Sequence, residues 1–231
     1  MRGIITHEES LIVTSAFREM GHEFYSNDLK PTSGKNPEWH YQGDFKDAFW
    51  GLSNNTGAAF FDFFGAHPDC TYLTNAGIRW ISSKEPKVGY YFSERWSDFN
   101  GYNTFINTDR WAKMELACDH FLTVYKFLRY VGKGYIENPR MHPYAAIRIG
   151  IPSTQYIHPY YFGTPQMKET HLWLVGLDPL EKTSDIMPPK DRKERLKWQN
   201  VWMASPGPKR AELRSKTDPN VAKEMVRQWG K

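Results

Sequence analysis

Two side chains in this sequence have the chemistry and the local setting of reactive groups. Cys70 follows the apolar run Phe60–Ala66 and stands in a polar, Pro-containing turn. A thiol in such a turn can be partly exposed and can attack an electrophilic carbon as a thiolate. Glu137 directly follows a second apolar run, and a carboxyl held there can donate or accept a proton at a ring nitrogen. The alternative roles are a small apolar filler for Cys70 and a helix cap or surface group for Glu137.

The elements that must position these groups alternate between strand and helix, which is typical of an α/β fold with a parallel sheet. Alternating and buried apolar runs predict strands at Gly3–Thr6, His22–Ser26, a piece reaching Gly43-Asp44, Phe60–Ala66, Gly134–Pro139 and Thr170–Val175. Helical spacing of apolar residues predicts helices at Leu11–Met20, Ala112–Arg129 and Asn220–Trp229.

The carboxyl ends of parallel strands border the ligand crevice of an open sheet. We therefore expect one sheet edge to collect the polar groups that follow the predicted strands. These groups are Thr6–Ser10, Asp28, Asp44, Cys70 and Glu137.

The length and charge of the chain limit the number of domains and the kinds of partner to be expected. The 231 residues are enough for one sizeable core, so we expect a single domain over residues 1–231. Within it, residues 79–112 read as an irregular excursion and residues 179–213 as a basic, loop-rich segment. The formal net charge is only +4, and the basic excess lies in residues 182–231. Such a flank suits either a phosphate backbone or a solvated surface.

Cysteine usage and hydropathy favour a cytoplasmic, reducing setting. The two cysteines, Cys70 and Cys118, make no disulfide framework, and Cys118 falls on the apolar stripe of a predicted helix. We find neither an apolar run of about 18 residues nor a signal-peptide pattern. The eight histidines show no metal-ligand spacing, so no metal is expected.

Several short motifs then occur in a fixed order along most of the chain. Gly43-Asp44 comes first, and the loop Asp62–Gly77 has Thr74 four residues after Cys70 and Gly77 three residues later. Glu137-Asn138-Pro139, Phe162–Thr170 and Asn220-Val221 follow. Together these motifs resemble the cytosine-5 DNA methyltransferase family, in a short form like that of bacteriophage-borne members. The corresponding family segments are an adenine-contacting Gly-Asp, a Pro-Cys nucleophile loop, Glu-Asn-Val, Tyr-Gly-Val-Pro-Gln-x-Arg-x-Arg and a closing Gly-Asn-x-Val.

The resemblance implies a Rossmann-like S-adenosylmethionine-dependent methyltransferase fold with a mostly parallel sheet and a reduced target-recognition region. It implies that a Cys thiolate adduct forms on a cytosine that is flipped out of DNA or single-stranded. The implied catalytic residues are Cys70, Glu137, Asn138 and Lys168. The residues implied to bind S-adenosylmethionine are Thr6, Glu8, Ser10, Asp28, Asp44, Pro68 and Asn220. Thr74 and Gln166 are implied to bind substrate.

Two departures from the family pattern keep other functions open. Thr6–Ser10 replaces a Gly-rich turn, and Asp69 stands where a Pro usually precedes the Cys. One alternative is a catalytically inactive DNA- or cofactor-binding protein on the same fold. Another is C5 modification of a free pyrimidine nucleotide, because only a short segment separates Thr170 from Asn220.

Overall fold

The computed structural model describes residues 1–55, 60–199 and 214–231. Their fold is α/β, with a seven-stranded, mostly parallel mixed sheet and a small three-stranded antiparallel sheet. The strands are β1 (Arg2–Thr6), β2 (Glu23–Asp28), β3 (His40–Gln42), β4 (Phe63–Ala66), β5 (Ser82–Ser83), β6 (Tyr90–Phe92), β7 (Phe105–Asn107), β8 (Gly134–Pro139), β9 (Gln155–Ile157) and β10 (Thr170–Val175). The helices are α1 (Ile12–Glu19), α2 (Phe45–Asn55), α3 (Glu94–Asn100), α4 (Thr108–Val131), α5 (Pro143–Ile149), α6 (Arg192–Lys197) and α7 (Pro219–Trp229).

The strand order of the large sheet is β3-β2-β1-β4-β8-β10-β9. β1 pairs in parallel with both β2 and β4, and β4 pairs in parallel with β8. β10 pairs antiparallel with β9 at one edge. The direction of winding reverses between β1 and β4, and in open α/β sheets ligands bind beyond the strand ends at such a switch point. The predicted α/β class and mostly parallel sheet are confirmed.

Strand β4 shows why the centre of this sheet is apolar on both sides. Phe63 packs against Phe17 of α1, with ring centroids 5.2 Å apart, while Phe64 packs towards Phe49 of α2 at 6.1 Å. Neighbouring side chains of a strand point to opposite faces, so both faces of β4 are covered by helices. This explains the continuous apolar run from which the strand was predicted.

Helices α1 and α7 cover the same face of the sheet. The α7 side chains at helical spacing are buried, namely Val221, Ala222, Met225, Val226 and Trp229. Asp218 caps the helix by accepting hydrogen bonds from the backbone N–H groups of Asn220 and Val221. The cap satisfies donors that the first turn leaves without helical partners, so α7 begins directly after it.

The chain divides into two compact units. Unit 1 comprises Met1–His67, Phe127–Glu137 and Ser153–Lys231, and it contains the large sheet. Unit 2 comprises Pro68–Lys126 and Asn138–Pro152, and it contains the small sheet in the order β5-β7-β6. The core of unit 2 includes Trp96, whose ring lies 4.2 Å from that of Tyr144. Because each unit draws on separated stretches of chain, the single domain over residues 1–231 stays a prediction.

Some elements differ from the sequence-based expectation. Residues 79–112 contain β5, β6, β7 and α3 rather than only irregular chain. Helices α2 and α5 and strand β9 were not predicted. The segment 179–213 holds α6 amid extended chain, and its residues 200–213 lie outside the described part. In the described ranges no helix combines the length and apolarity needed to cross a membrane.

Candidate functional site

A cleft in unit 1 lies at the switch point of the large sheet. Its volume is about 370 Å³ including the space open to solvent. The lining comes from the chain that follows β1, β2 and β4 and from Ser215. The residues are His7, Glu8, Glu9, Ser10, Asp28, Lys30, His67 and Ser215. Three residues implied to bind the cofactor, Glu8, Ser10 and Asp28, are therefore brought together.

Glu8 lines the cleft, and its buried side chain caps the amino terminus of helix α1. Its Oε1 accepts from the backbone N–H of Val13 at 2.5 Å, and its Oε2 accepts from the Thr14 hydroxyl at 2.6 Å and the Thr14 N–H at 3.3 Å. Burial raises the pKa of Glu8 to about 7, although these hydrogen bonds act in the opposite direction. Both carboxylate oxygens are thus engaged by the helix amino terminus.

The other residues implied to bind the cofactor after β1, β2 and β3 lie in different settings. Asp28 is half-buried at the end of β2, and its Oδ1 accepts from the backbone N–H of Lys30. Asp44 is exposed at the start of α2 and accepts from the N–H of Lys46. Thr6 is fully buried, with its hydroxyl 3.4 Å from the carbonyl oxygen of Gly65. Thr6 therefore supports the sheet, whereas Asp28 borders the cleft.

Glu137 occupies a small second cavity of unit 1. It is 8% exposed at the carboxyl end of β8, and its Oε2 accepts from the hydroxyl of Thr217 at 3.3 Å. The cavity has a volume of about 240 Å³ including open space, and Lys168 and Asp218 also line it. Lys168 donates from Nζ to the carbonyl oxygen of Lys216 at 2.8 Å. The structure thus places the predicted catalytic pair Glu137 and Lys168 around one cavity.

His67 lies between the cleft and this cavity. It lines the cleft, while its Nε2 is 3.7 Å from Oε2 of Glu137 and 2.8 Å from the hydroxyl of Tyr135. Burial lowers the pKa of His67, and the nearby Glu137 only partly offsets this effect, so the imidazole is neutral at neutral pH. The 3.7 Å separation is too long for a hydrogen bond, whereas Tyr135 makes one. His67 is therefore a neutral neighbour of Glu137.

Two further site predictions lie on the chain around α7. Asn220 donates from its side-chain amide to the hydroxyl of Thr164 at 2.9 Å, and Thr164 bonds to Asp218 at 3.0 Å. Gln166 is half-buried, and its backbone N–H donates to the carbonyl oxygen of Thr164. Asn220 therefore joins the segment with Gln166 and Lys168 to the amino terminus of α7, and it does not line the switch-point cleft.

In unit 2, Cys70 opens a compact loop. It is half-buried, and its carbonyl oxygen accepts from the N–H groups of Leu73 and Thr74. Asp69, the unusual residue before it, directs Oδ1 to the N–H and hydroxyl of Thr71, at 2.9 and 2.6 Å. The carboxylate therefore caps the loop.

Gly77 closes the same loop for a steric reason. A Cβ at this position would lie 1.3 Å from the carbonyl oxygen of Thr71. Thr74, implied to bind substrate, is half-buried and forms an antiparallel bridge with Met141. The glycine of the motif is thus required by the close approach of two backbone segments.

Asn138 and Pro68 stand together in unit 2. The side-chain amide of Asn138 donates to the carbonyl oxygen of Pro68 at 3.2 Å. Asn138 is 1% exposed, and within the described chain its Oδ1 has no hydrogen-bond partner. A buried acceptor without a partner costs about 1–3 kcal/mol, so it marks a place where a ligand donor would be stabilised.

Cys118 has the structural role expected from its helical stripe. It is fully buried in α4, with its sulfur 3.9 Å from the carbonyl oxygen of Ala145. Burial raises the pKa of its thiol to about 12, so it is not a nucleophile at neutral pH.

Several residues that line these cavities were not predicted as site residues from the sequence, and three of them have polar side chains of interest. They are His67, Lys30 and Thr217. His67 directly follows β4, which is the position from which a side chain reaches a switch-point crevice, so its place after the apolar run was a usable signal. Thr217 carries no local signal, because a long stretch of chain separates it from Glu137.

Among the described residues, no group of three or more His, Cys, Asp or Glu side chains could hold a metal ion. Comparison of the chain with models of protein families and with curated proteins gave no match.

Proposed function

We propose that this protein is an S-adenosylmethionine-dependent methyltransferase that acts on C5 of cytosine in DNA. Its fold would be the Rossmann-like methyltransferase fold with a reduced target-recognition region. One observation carries the proposal. The buried carboxyl group of Glu137 lies near the carboxyl end of β8, 3.7 Å from Nε2 of His67, and His67 lines the cleft at the switch point. Methyl transfer to cytosine C5 would need a methyl donor bound in the cleft and an acid near the pyrimidine ring, and Glu137 would be that acid.

The residues of the cleft fit a donor that has ribose hydroxyls and positive charge. Asp28 at the end of β2 is placed to accept from the ribose, and Ser10 offers a hydroxyl. Glu9, rather than Glu8, would accept from the ammonium group, because both oxygens of Glu8 already bind α1. S-adenosylmethionine supplies an electrophilic methyl group when it is bound.

The protein residues would make the poorly nucleophilic C5 reactive. The Cys70 thiolate would attack C6 and form a carbon–sulfur bond, and the displaced electron pair would move to C5. Glu137, held by Thr217, would donate a proton to N3 as negative charge develops there, and it would accept a hydrogen bond from the exocyclic amine. After methylation, loss of the C5 proton to a base would return the electron pair and expel the thiolate.

Two more residues support binding of the pyrimidine. The open acceptor of Asn138 would be satisfied by a ligand donor, and the Lys168 ammonium in the Glu137 cavity would balance negative charge. A base inside a duplex cannot reach these groups, so the cytosine would be flipped out or unpaired.

The decisive experiment is transfer of a labelled methyl group to single-stranded DNA, duplex DNA and free cytidine nucleotide in parallel. We expect transfer to DNA by the wild type and by Cys118→Ser, and no transfer by Cys70→Ser. DNA that contains 5-fluorocytosine should form a covalent adduct with Cys70 that mass spectrometry detects. Transfer that persists in Cys70→Ser would refute the mechanism, and transfer to the nucleotide alone would identify a different substrate.

A second candidate function is cofactor or DNA binding without catalysis. It is favoured by the amino terminus of α1, which binds Glu8 in place of the Gly-rich turn of the family. Calorimetric binding of S-adenosylmethionine, together with no transfer to any of the three substrates, would support this candidate over the enzyme.

A further inference from the structure

The small sheet of unit 2 carries aromatic rings on one face. Tyr90 and Phe92 are two residues apart in β6 and point to the same side, and Phe92 pairs with Phe105 of β7. The rings of Phe92 and Phe105 lie 5.7 Å apart. The opposite side bears Ile106, which is buried, and Tyr91, which is 65% exposed. We call the side with Tyr90, Phe92 and Phe105 the aromatic face.

The aromatic face is open to solvent. Phe92 is 53% exposed, and Tyr90 and Phe105 are half-buried. The outward face of a small antiparallel sheet is usually polar, because it contacts water. The exposed ring of Phe92 beside two half-buried rings is therefore an apolar patch where polar groups are expected, and such a patch indicates a binding surface.

Two cations of unit 2 lie over other aromatic rings close in sequence to the small sheet. Lys84 Nζ lies 4.2 Å from the ring centroid of Tyr102, and the guanidinium of Arg79 lies 4.7 Å from that of Trp80. Trp80 is linked to the aromatic face, because its carbonyl oxygen accepts from the hydroxyl of Tyr90.

The charge balance of this segment is basic. Between residues 79 and 92 the cations are Arg79, Lys84 and Lys87, and the only carboxylate is Glu85. None of the three cations forms an ion pair with a described residue. They are therefore available to a polyanion.

We infer that the aromatic face binds single-stranded nucleic acid. Bases stack on exposed aromatic rings whatever their sequence, and Lys and Arg beside the rings bind the phosphates. A strand of bases and phosphates matches both the rings and the cations. The inference rests on the proposed function for its role, since a DNA substrate must be held by the protein, but binding itself requires no methyl transfer.

The test measures the affinity for a fluorescently labelled single-stranded oligonucleotide of mixed sequence, with Cys70→Ser protein and no cofactor. We expect Phe92→Ala to weaken binding by about fivefold to a hundredfold, the effect of losing one stacked base. Phe92→Leu should lose nearly as much, because it remains apolar but cannot stack. Lys84→Gln should weaken binding and reduce its salt dependence. Phe99→Ala is the matched control, since Phe99 is 59% exposed on α3 and is not part of the small sheet.

The inference is overturned if the Cys70→Ser protein does not bind the strand, or if Phe92→Ala weakens binding no more than Phe99→Ala does in that protein. It is also overturned if Phe92→Leu retains full affinity, or if Phe92→Ala abolishes a concentration-dependent dimer and leaves strand binding unchanged. Circular dichroism of each variant must match the wild type. Loss of strand binding in Phe92→Ala, with no methyl transfer by the wild type, would reject the proposed function and leave the aromatic face supported.

Discussion

Glu8 makes the stability of the protein depend on pH in a direction that is unusual for a carboxylate. The ordinary pKa of the side chain is 4.5, and burial raises it to about 7 in the folded protein. Between these values the folded state holds a proton that the unfolded state has lost. The contribution to the free energy of unfolding is therefore complete below pH 4.5 and is lost as the pH rises through 7.

The size of the effect follows from the pKa shift. One pKa unit corresponds to about 1.4 kcal/mol, so Glu8 should lower the free energy of unfolding by about 3 kcal/mol between pH 4.5 and 7.5. Burial lowers the pKa of His67, so below pH 6.5 the unfolded state binds a proton more readily than the folded state does. The contribution of His67 to the free energy of unfolding therefore rises with pH, opposite to that of Glu8. The contribution of Glu8 must therefore be obtained from the difference between wild type and Glu8→Gln at each pH.

Urea unfolding of wild type, Glu8→Gln and the neighbouring control Glu9→Gln across this pH range provides the assay. The glutamine stays uncharged and its oxygen can still accept from the N–H of Val13. We expect the stability of Glu8→Gln relative to wild type to increase steadily with pH, whereas Glu9→Gln should follow the wild type. If the difference in the free energy of unfolding between Glu8→Gln and wild type does not vary with pH, burial does not raise the pKa of Glu8 to about 7.

Three other predictions test the local structure. Gly77→Ala should destabilise the protein by roughly 1–3 kcal/mol in thermal or urea unfolding, because the new Cβ would overlap a backbone oxygen. The control Gly51→Ala, inside α2, should stabilise the protein by about 0.5–1 kcal/mol. Equal effects of the two substitutions would contradict the steric argument. Asp218→Ala removes the cap of α7 and should cost about 1–2 kcal/mol in the same assay, and an unchanged midpoint would show that the cap is dispensable. Iodoacetamide should modify half-buried Cys70 in the native protein but not buried Cys118, as peptide mass spectrometry would reveal, and labelling of Cys118 first would contradict the burial of its thiol.

Long elements with regular apolar spacing were predictable from the sequence. Helix α4 and strand β4 have strong patterns, and both were found within a few residues of their expected bounds. Helix α5 was missed because it is short and begins at Pro143, which reads as a break, although proline is well suited to the first helical position. The strands β5, β6 and β7 are too short for alternation to be recognised.

The candidate site was predictable only where it follows the ends of strands. Asp28 and Glu137 were found from their positions after β2 and within β8, because parallel strands bring their carboxyl ends to one edge. The contacts of Thr217 and the cap made by Glu8 could not be predicted, since they depend on tertiary packing. Residues that only tertiary packing brings together have no characteristic spacing in the sequence.

The cap that Glu8 places on α1 also restricts which nucleotides the cleft can accept. In dinucleotide-binding sheets the pyrophosphate occupies the amino terminus of the first helix, where backbone N–H groups meet its negative charge. Here those N–H groups already bind a carboxylate that belongs to the protein. A nicotinamide or flavin dinucleotide would have to displace this internal carboxyl group, so a helix end that binds phosphates in those proteins is already occupied in this one.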